Sequence, residues 1–203
     1  MSGYCFELNG AFYLLLRDLG FDAVMCPGRQ LRHDARCAVP ATHCAVLVNV
    51  EGKVRFCDVG YGGPAPRGSL ELECGRAQTV ENETFLFHTR ETFFKTSVAG
   101  ARDSGWRILA RKSPRHAGRE LRLMEIAPVH CHLCDFYGQN MLRSTGDSAY
   151  ETVHVTRMTP EGYIDLTGDR LRIQQNGRCA ERTVHAAELS QVLRQYFAIC
   201  TCQ

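Results

Sequence analysis

The sequence predicts a mixed α+β fold, and three features of its apolar pattern indicate it. An amphipathic helix opens the chain, short apolar runs separated by polar turns fill the middle, and a second group of strands with a helix closes it. Because successive strands joined by short turns pair antiparallel, the middle runs predict an antiparallel β-barrel or sheet through about residue 126. The remaining residues predict a small C-terminal sheet and a helix.

The first element is a predicted helix that carries a cysteine at its start. From Cys5 to Leu19, apolar residues at positions 5, 8, 12, 15, 16 and 19 keep helical spacing. Gly20 follows directly, and glycine is the residue at which helices commonly stop. These positions therefore predict one apolar face along the helix.

A hairpin is predicted after an irregular connection. Residues 21–40 contain Pro27, Gly28 and Pro40 and predict irregular chain with one short strand. The stretch HCAVLVNV-EG-KVRFC then places two β-branched apolar runs around Glu51-Gly52. Two such runs around a two-residue turn predict a β-hairpin.

The later elements follow from similar patterns. Other strands of the barrel are predicted by the runs TFLFH, FFKTSV, WRILAR and ELRLMEI, and a short helix by CDFYGQNML. A second hairpin is predicted by ETVHVTRM and EGYIDLT, which meet at Thr159-Pro160-Glu161-Gly162, and DRLRI extends that sheet. The closing amphipathic helix is predicted by AELSQVLRQYFAI.

The composition excludes several classes of function. The 203 residues suffice for one large or two small domains, and the net charge of +2 favours neither nucleic acid nor a membrane surface as a partner. The sequence lacks the run of about 18 apolar residues that a membrane span requires, and we expect no signal peptide. Eleven cysteines at irregular spacings then predict free thiols in a reducing cytosol, and thus a cytoplasmic protein.

The first hairpin places a histidine near an aspartate. If Val50 pairs with Lys53, Asp58 lies opposite Ala45, and His43 shares a face with Ala45 because side chains alternate along a strand. The histidine and the aspartate are then diagonal neighbours, roughly 7–8 Å apart at the backbone and within side-chain reach. If the turn of this hairpin has four residues, His43 and Asp58 still share a face. If it has three, they lie on opposite faces.

Cys5 can complete this pair as a nucleophile. A carboxylate orients a neighbouring imidazole and stabilises its cation, while a helix N-terminus and an imidazolium both favour the thiolate form of a cysteine. Nucleophile, base and orienting carboxylate form a triad that is recognised by these roles. From the pattern alone a second interpretation stays open, in which Cys5 and His43 are ordinary buried side chains.

Several stretches also resemble the arylamine N-acetyltransferases. GYCFELNGAFYLLLRDLGF, THCAVLV and DVGYGGPAP are similar to the three signature stretches of that family, in the same order and spacing. The later segments DFYGQNMLRSTGDSAY and VTRMTPEGYIDL resemble further family segments. The resemblance covers almost the whole chain and implies a core like that of cysteine proteases and transglutaminases.

The resemblance implies a chemistry and a set of site residues. It makes Cys5 the acyl-accepting nucleophile, His43 its base and Asp58 the orienting acid in a ping-pong transfer. The expected donor is acetyl-CoA, with no metal, and the expected acceptor is an arylamine or arylhydrazine. The same resemblance implies four substrate-binding residues, namely Tyr61, Gly60, Gly62 and Thr42.

The sequence departs from the family at its beginning. Met1, Ser2 and Gly3 stand where the family has Arg-Gly-Gly, so we expect an N-terminally truncated member. The expected division is residues 1–20 as the remnant of a helical domain, 21–126 as a β-barrel and 127–203 as an α/β lid. Alternatives are an inactive homologue, or an amide synthase or thiol hydrolase with the same triad.

Two further clusters are candidates for ligand binding. HCHLC at residues 130–134 contains a CxxC and two histidines, but a structural zinc site needs four ligands and no second CxxC is clear. RKSPRHAGR carries Arg111, Lys112, Arg115 and Arg119, which could meet the phosphates of CoA or could form a solvated loop.

Overall fold

The computed structural model combines three α-helices and two antiparallel sheets in the part of the chain that it describes, which confirms the mixed α+β prediction. The described residues are 3–31, 42–89, 105–112, 118–144 and 153–200. Their contacts separate two units, Met1–Tyr61 with Ala65–Asn140 and Gly62–Pro64 with Met141–Gln203. The expected three-part division, with boundaries after residues 20 and 126, stays a prediction.

The first helix, α1, spans Cys5–Asp18, and Gly20 follows it with a φ of 86°, as expected. Its buried face differs from the predicted one. Leu15 and Leu19 are 53% and 65% exposed, whereas the polar Asn9 is fully buried. The apolar face is therefore partly exposed, while the hydrogen bonds made by Asn9 hold a polar side chain in the interior.

Strand β1, Asp22–Gln30, occupies nine residues of the segment 21–40, for which irregular chain with one short strand was predicted. It pairs with β2 from Asp22 to Gly28 and with β8 from Gly28 to Gln30. The strand tolerates Pro27, whose carbonyl accepts a hydrogen bond from the Ala127 N–H at 2.9 Å. The prediction failed here because proline and glycine usually mark loops, while long-range pairing decided this strand.

The large sheet contains eight strands in the order β4-β3-β2-β1-β8-β7-β6-β5. After β1 these are β2 (His43–Val50), β3 (Lys53–Cys57), β4 (Leu70–Glu71), β5 (Gln78–Val80), β6 (Glu83–Thr89), β7 (Arg107–Lys112) and β8 (Glu120–Ile126). The predicted first hairpin is confirmed, since Val50 pairs with Lys53. The turn residues Glu51 and Gly52 both have positive φ, at 53° and 78°, the geometry of a type I′ turn.

A side-chain amide joins the two edges of this sheet. The Glu71 N–H of β4 donates to Gln78 Oε1 of β5, and Gln78 Nε2 donates back to the Glu71 carbonyl, both at 2.7 Å. Inside, the Phe56 and Phe87 rings meet edge to face at 5.5 Å. The sheet is therefore nearly closed, as the barrel prediction required, while the predicted strand FFKTSV lies outside the described residues.

The helix predicted over CDFYGQNML is present as a 3₁₀ turn, Leu133–Phe136, followed by α2, Tyr137–Ser144. The 3₁₀ turn packs close to α1 at Gly10, where a Cβ atom would lie 2.6 Å from Leu133 Cδ2. Glycine at this position is what allows that close approach. None of the described helices is long and apolar enough to cross a membrane.

The second unit holds a four-stranded antiparallel sheet and a helix. The elements are β9 (His154–Thr159), β10 (Gly162–Thr167), β11 (Arg170–Gln175), β12 (Arg178–Thr183) and α3 (Leu189–Phe197). The second hairpin and the closing helix are confirmed, and Leu166 and Leu171 pack with Phe197 in this unit's core. Strand β12 was not predicted, because every residue in it is exposed and no alternation marks it.

Replacing Gln78 tests the closure of the barrel. We expect Gln78→Ala to lower the free energy of unfolding by about 1–3 kcal/mol, because the Glu71 backbone loses both side-chain partners. Thr79→Ser, an exposed neighbour on β5 that keeps the hydroxyl bonded to Thr84, is the control and should have a smaller effect than Gln78→Ala. Urea unfolding followed by circular dichroism measures both, and equal losses would contradict the closing role.

Candidate active site

The candidate nucleophile lies where α1 begins. Cys5 is the first residue of the helix and is 5% exposed. Tyr4 before it is extended, and its carbonyl accepts hydrogen bonds from the N–H groups of Glu7 and Leu8 at 3.0 Å. The Glu7 carboxylate in turn accepts the Tyr4 N–H at 2.8 Å. The thiol is thus held at the positive end of a helix.

The predicted histidine and aspartate are in direct contact. His43 opens β2, and Asp58 follows the last residue of β3, so the confirmed hairpin register places both on one face. His43 Nε2 lies 2.6 Å from Asp58 Oδ2, and both side chains are fully buried. A short hydrogen bond between buried groups holds the imidazole in one orientation.

The second oxygen of Asp58 is held by three N–H donors. Asp58 Oδ1 accepts hydrogen bonds from the Gly60 N–H at 2.9 Å, the Tyr61 N–H at 3.0 Å and Asn9 Nδ2 at 2.9 Å. The two backbone donors form the tight turn that an aspartate side chain typically organises. The plane of the carboxylate is fixed as a result, and with it the position of His43.

Asn9 is a site residue that the sequence reasoning missed. Its side chain donates to the Cys44 carbonyl at 2.8 Å and accepts the Val59 N–H at 2.9 Å, in addition to its bond with Asp58. The available signal was its spacing, because a residue four positions after Cys5 shares that residue's helix face. Asn9 therefore ties the nucleophile helix to the strand and loop that carry the other two triad residues.

The electrostatics of the site favour a cationic His43. Burial alone lowers the pKa of this imidazole, but the Asp58 carboxylate and the hydrogen-bonding Cys5 thiol outweigh it and raise the pKa above its ordinary value of 6.5. Nδ1 is the ring nitrogen that is not bonded to Asp58, and it is buried. The ring is thus positioned to exchange a proton with a neighbouring thiol.

Three of the four predicted substrate-binding residues, Thr42, Gly60 and Tyr61, lie close to Cys5 or His43. The Thr42 carbonyl lies 4.0 Å from the Cys5 thiol. A Cβ atom at Gly60 would lie 2.7 Å from the Cys5 Cα, so this glycine lets the loop pack against the nucleophile helix. The Tyr61 ring meets the His43 ring edge to face at 5.6 Å, and its hydroxyl donates to the Leu123 carbonyl at 2.9 Å.

Gly62 belongs to the second unit. Its φ of 71° is one that glycine adopts readily, and a Cβ atom there would lie 2.8 Å from the Thr156 Cβ. Local geometry thus requires a glycine at this position. The binding of substrate by these four residues stays a prediction.

The other two candidate clusters are partly described. Among the described residues, no three histidine, cysteine, aspartate or glutamate side chains form a group that could hold a metal ion. The HCHLC segment is part of the described chain. Arg111 of the basic cluster is paired with Glu83 at 2.5 Å. Arg115 lies outside the described residues. Because Arg111 is paired with Glu83, it does not support the predicted contact with the phosphates of CoA.

Comparison with known proteins identifies the family. The model of the N-acetyltransferase family matches residues 2–201. The chain belongs to this family. An arylamine N-acetyltransferase / N-hydroxyarylamine O-acetyltransferase from Salmonella typhimurium is 42% identical over 77 residues, which is 38% of this chain and 27% of that protein. The chain therefore matches only about a quarter of that relative's length.

Solved structures have the same fold. The arylamine N-acetyltransferase from M. tuberculosis superposes with a TM-score of 0.82 at 22% identity, over 98% of this chain and 70% of that one. The Mycobacterium marinum arylamine N-acetyltransferase in complex with CoA gives a TM-score of 0.81 at 22% identity, over 98% and 70%. The predicted resemblance to arylamine N-acetyltransferases is thereby confirmed, whereas the protease-like description of the core stays a prediction.

Removing the Asn9 side chain tests its linking role. We expect Asn9→Ala to lower the free energy of unfolding by at least about 2 kcal/mol, because several buried polar groups lose a partner. Alkylation of Cys5 by iodoacetamide should slow, since His43 is no longer held in place. Asn49→Ala is the control, as Asn49 is exposed and its bond to Asp22 is 3.4 Å long. Equal effects in the two variants would show that Asn9 has no special role.

The charge of His43 gives a prediction about pH. Because its folded pKa is raised, His43 should stay protonated well above pH 6.5, and the stability it contributes should be lost as pH rises through the folded pKa. In Asp58→Asn, burial should dominate and bring the pKa down. Carbon-13 NMR of labelled histidine measures both, with His43→Asn to assign the resonance. A wild-type midpoint at or below 6.5 would contradict the prediction.

Proposed function

We propose that this protein transfers an acetyl group from acetyl-CoA, through a thioester on Cys5, to the nitrogen of an arylamine or arylhydrazine. The observation that carries this proposal is the buried His43–Asp58 pair, whose atoms lie 2.6 Å apart next to a cysteine at a helix start. Membership of the N-acetyltransferase family supports acyl transfer as the class of reaction.

The first half-reaction loads the enzyme. His43, whose pKa is raised, holds the proton of Cys5, and the Cys5 thiolate attacks the thioester carbon of acetyl-CoA. A new bond forms between Cys5 Sγ and the acetyl carbon, the bond to the CoA sulfur breaks, and His43 returns the proton to the leaving CoA thiolate. Asp58 stabilises the imidazolium between these steps, a role that its direct contact with the ring supports.

In the second half-reaction the acetyl group moves from Cys5 to the acceptor. The acceptor nitrogen attacks the acetyl carbon, a C–N bond forms, and the C–S bond to Cys5 breaks. His43 takes the proton from the nitrogen and keeps it, so the released Cys5 thiolate again faces a protonated imidazole. The CoA complex of the Mycobacterium marinum relative supports acetyl-CoA as the proposed donor. The arylamine activity named for the Salmonella typhimurium relative supports the proposed class of acceptor.

Tyr61 is the proposed wall of the acceptor site. Its ring contacts the edge of the His43 ring, and its bond to the Leu123 carbonyl keeps it in place. A fixed aromatic surface beside the base suits a planar aromatic acceptor, because such rings gain from packing against each other. We also place the reaction in the cytoplasm, since the described cysteines all carry free thiols.

Replacement of the nucleophile tests the mechanism. With acetyl-CoA and a hydrazine such as isoniazid, release of free CoA should fall about 10⁴-fold or more in Cys5→Ser, since a poorer nucleophile replaces the thiol. Cys179→Ser is the matched control, because Cys179 is an exposed thiol on β12, and its rate should equal that of the wild type. Equal rates in wild type and Cys5→Ser would exclude the thioester mechanism.

Mass spectrometry of the intact protein distinguishes acetyl transfer from hydrolysis and from an inactive homologue. After acetyl-CoA alone, we expect one acetyl group on Cys5 that persists until the acceptor is added. A thioester that disappears in water as fast as with the acceptor would indicate a hydrolase. Absence of any adduct would indicate an inactive homologue.

A further inference from the structure

Two exposed histidines lie side by side in the HCHLC segment, residues 130–134. The rings of His130 and His132 have centroids 4.5 Å apart and are tilted by 56°. They flank Cys131, which forms a β-bridge with Met25 and packs against the buried group that contains Cys5. Because side chains alternate along an extended segment, an inward Cys131 directs both histidines outward.

The backbone here is held at its middle and at its end. The Cys131 N–H donates to the Met25 carbonyl at 2.9 Å, which fixes the segment to β1. The His132 N–H donates to Asp135 Oδ2 at 2.8 Å. The two imidazoles are therefore carried by a restrained segment, and less conformational entropy is lost when a ligand bridges them.

The distance between the rings suits a shared cation. Each bond from imidazole nitrogen to metal is about 2.0–2.1 Å, so two imidazoles on adjacent coordination positions place their centroids roughly 4.5–5.2 Å apart. The observed 4.5 Å lies at the lower end of that range, where the angle at the metal is about 90°. A square-planar or octahedral cation has this angle.

We propose that His130 and His132 form a bidentate, solvent-open site for a late first-row divalent cation, with water at its remaining positions. Imidazole nitrogen suits nickel, copper and zinc, and copper(II) binds most tightly in that series. The carboxylate of Asp135, exposed beside His132, adds negative charge close to the site. This proposal concerns a surface separate from the triad and does not depend on the proposed acetyl transfer.

The site is distinct from the structural zinc site considered for the HCHLC segment. That site would need Cys131 and Cys134 as ligands together with the histidines, but Cys131 is engaged with the buried group around Cys5. Two donors also give much weaker binding than four. The cation is thus expected to bind reversibly and the fold to be independent of it.

Nickel binding to the full chain tests the proposal. Ni²⁺ is the probe of choice, because Cu²⁺ oxidises thiols and Zn²⁺ binds them, and this chain has eleven cysteines. Isothermal titration calorimetry should give one site per chain, with the affinity of His130→Asn and of His132→Asn each about tenfold or more weaker. His185→Asn replaces an exposed histidine elsewhere and should leave the affinity unchanged.

Each other outcome overturns the proposal. If either His130→Asn or His132→Asn binds Ni²⁺ as the wild type does, the two rings do not share a cation. If Cys134→Ser abolishes binding while the histidine variants retain it, the ligand is the thiol. No detectable binding by the wild type up to about 1 mM Ni²⁺ would also exclude the site. Circular dichroism verifies that each variant is folded, as expected for exposed residues.

Discussion

The buried carboxylate of Asp58 is the group on which the rest of the site depends. One oxygen accepts the Gly60 and Tyr61 N–H groups and the Asn9 amide, and the other contacts His43 Nε2 at 2.6 Å. A carboxylate taken out of water costs several kcal/mol unless such donors surround it. The four donors come from a helix, a strand and a loop, so the fold itself supplies the compensation.

The same network determines how the nucleophile helix packs. Asn9 must face inward to reach Asp58, and Cys5, one turn earlier on the same helix face, is thereby directed towards His43. Leu15, although apolar, is exposed on another part of the helix surface. The absence of a side chain at Gly60 lets the loop approach the helix closely. Catalytic geometry and helix packing therefore depend on one set of hydrogen bonds.

The barrel supplies the rigid part of this arrangement. Strand β1 changes its partner at Gly28, which pairs with His43 on one side and with Ile126 on the other. A Cβ atom at Gly28 would lie 3.2 Å from the Glu125 carbonyl and 3.6 Å from His43 Cδ2. The imidazole that we propose as the base thus lies at the junction of three strands, where the backbone has little freedom to move.

The sequence by itself determined the elements whose signals are local. The Glu51-Gly52 turn set the hairpin register, and the register placed His43 and Asp58 on one face, because alternation along a strand is strict. The start of α1 placed a thiol at a helix N-terminus for the same kind of reason. The core of the candidate site was therefore predictable from short-range patterns.

Only the tertiary structure decided the features that depend on distant partners. Strand β1 contains Pro27 and Gly28, residues that locally indicate a loop, and it exists because β2 and β8 pair with it on both sides. In the sequence Asn9 only interrupts the apolar pattern of a helix, whereas in the fold it is hydrogen-bonded to Asp58 and to the Cys44 carbonyl. A buried polar group needs a hydrogen-bond partner, and the fold decides which residue provides it. Because that residue can be far away in the sequence, a local pattern does not predict it.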